Sequence, residues 1–347
     1  MTQDNLKQNR GVTTNLKILA GLCLLACLAG STFGQDEGDL MAKKRLLPSI
    51  GPGLRAVKPG PDGNYYVLTA PGSSVSVFDP SGKLVRRVPS YTDSKSSGPQ
   101  SAQLATIMFG EDMDVDAQGT VYVADRGANA IKIWDTRGNA QTVKVNAPLS
   151  VAALPDGEFA VSTMREPHLV IVYDKSGRDV REFGDPEQLS DRPDLNRFLS
   201  IGFLLTDAGD HLYYAFGYLP EATVRQYDRY GYAGQDFQYT GVDAWPGAQA
   251  TRKEIERQEK RGEPPVFKRI LTAVGVERGT NEVWMALGDN LLHFDKEGNR
   301  RATYKIYTPE GARLEAGTIL VDKDHLTIGS DPLGIYEFDR PGKKSQN

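Results

Sequence analysis

Cysteine is almost absent from this chain: there are two, Cys23 and Cys27, and both lie close to the start. Everything downstream of them therefore folds without a disulfide and carries no thiol chemistry. Histidine is nearly as scarce, at four residues. The longest apolar run, Ile18 to Gly30, is too short to cross a bilayer comfortably. No excess of positive charge exists either. The net charge is −4, and the first 34 residues hold three basic side chains against one acid, so losing them would make the chain more negative still. That balance argues against nucleic acid as a partner. A P-loop, a Gly-x-Ser-x-Gly elbow and paired Cys motifs are all missing.

Repetition is what the sequence has. An aromatic-Asp-x-x-Gly phrase occurs six times: FDPSG (Phe78 to Gly82), WDTRG (Trp134 to Gly138), YDKSG (Tyr173 to Gly177), YDRYG (Tyr227 to Gly231), FDKEG (Phe294 to Gly298) and FDRPG (Phe338 to Gly342). Each reads as a strand end followed by a tight turn, in which the aromatic is half buried, Asp bonds its own backbone and Gly supplies a positive φ. A turn and an apolar strand precede every copy, as in DAQGTVYVAD from Asp116. The unit is a four-stranded antiparallel blade. Successive aspartates are 56, 39, 54, 67 and 44 residues apart; a bare propeller blade takes roughly 40 to 50 residues, so the longer steps hold insertions. The expectation is an all-β, six-bladed β-propeller.

The sixth copy has no room for a fourth strand, whereas Arg45 to Ile50 precedes blade one with no other role. That segment is expected to pair as the outer strand of the last blade and close the ring. The division that follows is a signal peptide over 1–34, a flexible mature N-terminus over 35–44, the propeller over 45–340 and a tail over 341–347. A helical insert between blades four and five takes up 241–268. Within it Thr251 and Glu254 suit a capping box, Glu254 faces Gln258 and Glu256 faces Lys260 at four-residue spacing, and Ile255 is the lone apolar residue of the helix. A solvated helix over the rim is the simpler expectation.

Lys7, Arg10 and Lys17 ahead of the apolar run give it the form of an export signal, with small residues Thr32 and Gly34 at a cleavage position. Leu24-Leu25-Ala26-Cys27 also resembles a bacterial lipobox, which would leave a lipid anchor on Cys27. The expected location is periplasmic or extracellular, with an outer-membrane lipoprotein as the alternative and no transmembrane span once the signal is removed.

Blade two, MDVDAQGTVYVADRGANAIKIWDTRGN (Met113 to Asn139), resembles an NHL repeat: an apolar strand ending in Asp, a Gly turn, VYVAD, a polar loop and the aromatic-Asp-x-x-Gly turn. The resemblance implies the propeller fold and leaves function open, since such propellers host lyases, lactonases, receptors and scaffolds. Two readings follow. One is a non-catalytic module binding a protein or small-molecule ligand on the face that carries the inserts. The alternative is a propeller enzyme of the lactonase or lyase type with a metal, Ca²⁺ or Zn²⁺, in the central channel.

Loops of that face supply the candidate binding residues Arg126, Asn129, Arg165, His168, Tyr218 and Asp331. Arg126 and Arg165 occupy the same loop of adjacent blades, so a carboxylate or phosphate is expected to bridge them. Asp112 and Asp114 are weak metal candidates on one side of the innermost strand of blade two. The other blades offer Lys58, Ala152, Leu205 and Leu320 at the level of Asp114, so no ring of oxygens forms, and a Lys58–Asp114 pair explains that aspartate as well. The histidines His168, His211, His293 and His325 fall at different levels and cannot converge on zinc. No cofactor is expected.

Overall fold

The structure, a computed structural model, describes residues 36–89, 106–207, 211–241 and 247–342. Its elements run in chain order from an N-terminal pair, β1 (Asp36–Met41) and β2 (Lys44–Leu46). Blade one is β3 (Leu54–Pro59), β4 (Tyr65–Thr69), β5 (Val75–Phe78) and β6 (Leu84–Val88). Blade two is β7 (Gly110–Val115), β8 (Val121–Asp125), β9 (Ala130–Trp134) and β10 (Ala140–Lys144). Blade three is β11 (Pro148–Ala153), β12 (Phe159–Thr163), β13 (Val170–Tyr173) and β14 (Asp179–Phe183). A short helix α1 (Pro193–Leu199) leads into blade four, β15 (Gly202–Thr206), β16 (Leu212–Phe216), β17 (Ala222–Tyr227) and β18 (Ala233–Tyr239). Helix α2 (Gly247–Arg261) precedes blade five, β19 (Ala273–Val276), β20 (Val283–Leu287), β21 (Asn290–Phe294) and β22 (Arg300–Tyr307). Blade six is β23 (Thr318–Val321), β24 (His325–Ser330) and β25 (Gly334–Asp339).

Within each blade the strands pair antiparallel in sequence order, and the first strands pack side by side from β3 through β7, β11, β15, β19 and β23 back to β3. This is a six-bladed propeller. Its core is six separate apolar wedges, one between each pair of neighbouring blades, such as Val67, Phe78, Leu47 and Ile335 between blades six and one.

The repeated phrase builds the turn it foretold. Asp79 Oδ1 accepts the amides of Ser81 and Lys83, and Gly82 turns at φ 84°. The copies at Asp135, Asp174, Asp228 and Asp295 repeat that pattern. The Ser81 hydroxyl leads the donors that hold the Asp79 carboxyl below its usual range. The sixth copy differs because no fourth strand follows it. Its Asp339 takes Lys43 Nζ at 2.7 Å instead, and β2 pairs antiparallel with β25 through Lys44–Glu337, Arg45–Tyr336 and Leu46–Ile335. The N-terminus closes the ring.

Two expectations need correction. Residues 35–44, read as a flexible lead-in, include β1, which adds a fifth strand outside β22 of blade five, so the N-terminal segment straps blades five and six together. Helix α2 begins at Gly247, four residues before Thr251, so Thr251 does not cap it. The helix also docks more firmly than one apolar residue suggests. Ile255 is buried, Gln258 bonds the Val266 backbone in both directions, and Arg192 of the blade-three connection reaches the carbonyls of Gln258 and Glu263. The Glu254–Gln258 bond stands, at 2.7 Å.

The apolar run and Cys23 and Cys27 lie outside the described residues. Among those described, no helix is long and apolar enough to cross a membrane.

One histidine makes a testable contribution to stability. His293 stacks on Trp284 at 4.1 Å and its Nε2 lies 3.0 Å from Glu282. Burial lowers its pKa below 6.5, against the opposing pull of Glu282. A depressed histidine contributes stability above the unfolded pKa and loses it as the pH falls, because the unfolded chain binds the proton first. Melting between pH 7.5 and 5 should show a loss of stability that His293→Phe, which keeps the stack, removes. Identical pH slopes in both proteins would assign that loss elsewhere.

Candidate functional site

The central channel opens into a cavity of about 750 Å³ lined by residues of the innermost strands and the loops beside them. Its deeper wall is stitched across blades. Lys58 Nζ stands 3.4 Å from Asp114 Oδ1, while Asp114 Oδ2 accepts the Ala153 amide at 2.9 Å. Asp112 takes a short hydrogen bond from the Ser150 hydroxyl, whose oxygen accepts the Leu204 amide at 2.9 Å. Burial pushes the Asp112 carboxyl up, against the pull of Lys58. For Lys58 burial acts downward, but the nearby Asp114 and Asp112 outweigh it and the net shift is upward. Two weak metal candidates thus serve to tie the first strands of blades one to four together. Among the described residues no three or more His, Cys, Asp or Glu side chains gather as metal ligands. With an ammonium already beside Asp114 and a hydroxyl on Asp112, this donor set does not suit a divalent cation.

The mouth lies where first strands begin and second strands end, which is the face carrying the blade-to-blade connections with α1 and α2. Three first strands bulge there, at Leu54/Ala56, Gly110/Asp112 and Pro148/Ser150. A bulge adds one residue and re-aims its side chain. The extra residues are Arg55, Glu111 and Leu149, and all three line the cavity. Glu111 is shared by Arg55 Nη1 at 2.6 Å and Arg126 Nη1 at 2.8 Å. Both guanidinium groups sit over Phe109, at 4.2 and 5.9 Å from its ring centre. Phe109 is held by Asp125, the last residue of VYVAD, whose buried carboxylate accepts the amides of Met108 and Phe109 at 2.9 Å.

Across the mouth, the Gly217 carbonyl accepts the Ile270 amide at 2.7 Å and draws in the chain leaving the helical insert. That chain delivers Arg269. Its Nε donates to the Leu271 carbonyl at 3.0 Å and its guanidinium lies 4.6 Å from the Phe203 ring centre. The side chain is exposed to the cavity, and partial desolvation by the channel wall lowers its pKa against the pull of Tyr218, Asp112 and Glu111. Tyr218 packs on Phe198 at 5.0 Å, and Phe198 on Phe267 at 5.8 Å, so α1, the β16–β17 loop and the chain after α2 share one aromatic cluster.

Of the six loop candidates, Arg126 and Tyr218 line the cavity. Arg165 is exposed and does not line it, so the structure does not bring the two arginines into one cavity. Asn129, at φ 49°, braces its loop by accepting the Ala147 amide at 3.0 Å. His168 lies 3.4 Å from Asp185, and Asp331 laces blade six to blade one by accepting the Gly53 amide at 2.6 Å. Sequence reading missed Arg55, Glu111 and Arg269. Strict alternation back from Lys58 turns Arg55 away from the channel, and only the bulge returns it.

No protein-family model matches the chain, and neither does any curated protein sequence. The NHL resemblance of blade two therefore has no family match behind it. Among solved structures, a streptogramin B lyase is similar over 86% of this chain and 87% of its own, at 13% identity and a TM-score of 0.51. A catalytically inactive virginiamycin B lyase from Staphylococcus aureus, solved with quinupristin, covers 86% and 88% at 12% identity and a TM-score of 0.50. A gluconolactonase from Xanthomonas campestris covers 85% and 89% at 15% identity and a TM-score of 0.52. At these identities the likeness is one of fold, a six-bladed propeller.

Proposed function

We propose that this propeller handles a small molecule in its central channel, entered from the face that carries the inserts. The observation that carries the reading is the cavity itself. At about 750 Å³ it falls among small-molecule sites, which run from roughly 300 to 1,000 Å³. Its walls are mixed in the way such sites are, with Leu149, Ile201 and Ile319 beside Arg126, Tyr218 and Arg269. The neighbours in fold are named for lyase and gluconolactonase activities, which favours turnover of a ring ester or lactone over passive binding. No step through a channel metal is part of this reading, for the donor chemistry given above. Protein binding through Arg165, His168 and the insert helix is the weaker alternative, because these groups do not line the cavity that holds Arg126.

Gluconolactone and a streptogramin B depsipeptide are the substrates to try first. Turnover of at least one lactone is expected, with Leu149→Trp filling the mouth and lowering it on the order of a hundredfold while melting is unchanged. Turnover that survives Leu149→Trp, or neither turnover nor calorimetric binding of any lactone in the parent protein, would sink the proposal.

A further inference from the structure

Arg269 is the charged group of the mouth that no carboxylate claims. Glu111 divides its charge between Arg55 and Arg126, and Asp112, one level deeper, takes its hydrogen bond from Ser150 and faces Lys58. Around the opening stand Arg55, Arg126 and Arg269 against Glu111 and Asp112, so the mouth keeps a net positive charge. Arg269 uses one of its five donors on the Leu271 carbonyl, and among the described residues its terminal nitrogens make no hydrogen bond or ion pair. A guanidinium open to the cavity with its terminal nitrogens free of protein partners leaves its fork to water, and an oxyanion would replace that water with paired, charge-assisted hydrogen bonds. Phe203 beneath the guanidinium fixes its plane, so the fork is oriented before a ligand arrives.

We propose that the channel mouth is an oxyanion subsite in which Arg269, with Tyr218 lining the same opening and Arg126 across it, receives a carboxylate, phosphate or sulfonate carried on an apolar body. The inference rests on the channel being the small-molecule site and adds the class of ligand. The apolar part of that ligand has Leu149, Ile201, Phe203 and Ile319 to lie against. Tyr218 lines the same opening. Selection acts at entry: an anion is drawn to the mouth, while a neutral analogue of the same shape gains only the apolar walls.

Two fluorescent probes with one skeleton test this, 8-anilinonaphthalene-1-sulfonate and the neutral N-phenyl-1-naphthylamine. The parent protein is expected to prefer the sulfonate by about tenfold or more, as a charge-assisted pair would give. Arg269→Met should erase that preference and leave the amine within about threefold, and Arg269→Lys should restore part of it. Raising salt from about 50 to about 500 mM should shrink the preference in the parent protein, a reading that holds even where a variant folds poorly. A folded Arg269→Met protein that keeps the preference overturns the subsite, as does a parent preference insensitive to salt. Leu149→Trp separates this failure from the wider one. If it excludes the amine while the sulfonate enjoys no preference, the channel reading survives and the oxyanion subsite does not; if it excludes neither probe, the channel reading itself fails.

Discussion

A chain beginning at Gly51 is expected to lose its cooperative thermal transition, or to melt tens of degrees below the intact propeller. The deletion removes β2 and with it every hydrogen bond that covers β25, including the Lys43 amide on the Glu337 carbonyl at 2.7 Å. It also removes Ala42, Leu47 and Ile50, which are buried between blades five and six and between blades six and one. Two large aliphatic side chains contribute roughly 1.5 to 3 kcal/mol each, and three or four backbone bonds about 1 kcal/mol each. The sum is on the order of 5 to 10 kcal/mol, comparable with the whole stability of an ordinary domain. Removing only residues 36–41 deletes an added outer strand on blade five and is expected to cost a small part of that. A synthetic peptide spanning residues 36–50 should restore the transition when added in trans. Equal, minor losses from both deletions would show that the ring does not depend on its N-terminal strand.

This closure was legible because the sequence left a blade one strand short and offered a segment with no other employment. The blade turns were legible too, since Asp and Gly at fixed spacing dictate both the hydrogen bonds and the positive φ. What was hidden has physical reasons. Asp36 to Met41 reads DEGDLM, with no alternation to mark a strand, because β1 is an added edge that buries little. Arg55 and Glu111 escaped because period-two reading assumes regular pairing, and a bulge breaks it where the chain enters the channel. Arg269 lies between an insert and a strand, outside any repeat, so no alignment of blades places it. Arg126 and Tyr218, which line the cavity, were named because they lie in second-to-third loops, where a repeat scaffold has its freest surface.

Arg340→Leu is expected to cost about 3 to 5 kcal/mol, the loss typical of a buried ion pair robbed of one partner. The residue occupies the third position of the sixth aromatic-Asp-x-x-Gly phrase. In the fifth copy that position is Lys296, which is exposed. Here, with no fourth strand to lead outward, Arg340 turns inward and is only 4% exposed. Its terminal nitrogens bond Glu277, which is 5% exposed, and Glu282 of blade five, while its backbone amide donates to the Asp324 carbonyl at 3.0 Å. Burial would lower its pKa, but the two glutamates prevail and raise it. The group therefore acts as a charged clamp between the last two blades. Without it, the two carboxylates lose their guanidinium partner in a low-dielectric wedge, where Thr280 and His293 are among their neighbours. Each would then hold its proton more readily in the folded than in the unfolded state. By linkage such groups favour the fold at acid pH, and that benefit is lost as the pH rises. The gap between parent and variant should thus be widest near pH 8 and narrower near pH 5 in urea denaturation. Adding Glu277→Gln and Glu282→Gln to Arg340→Leu should recover part of the loss at neutral pH, since it removes the uncompensated charge. A single variant within about 0.5 kcal/mol of the parent, the range of ordinary surface substitutions, would mean that Arg340 is no clamp and that strand pairing with β2 closes the ring alone.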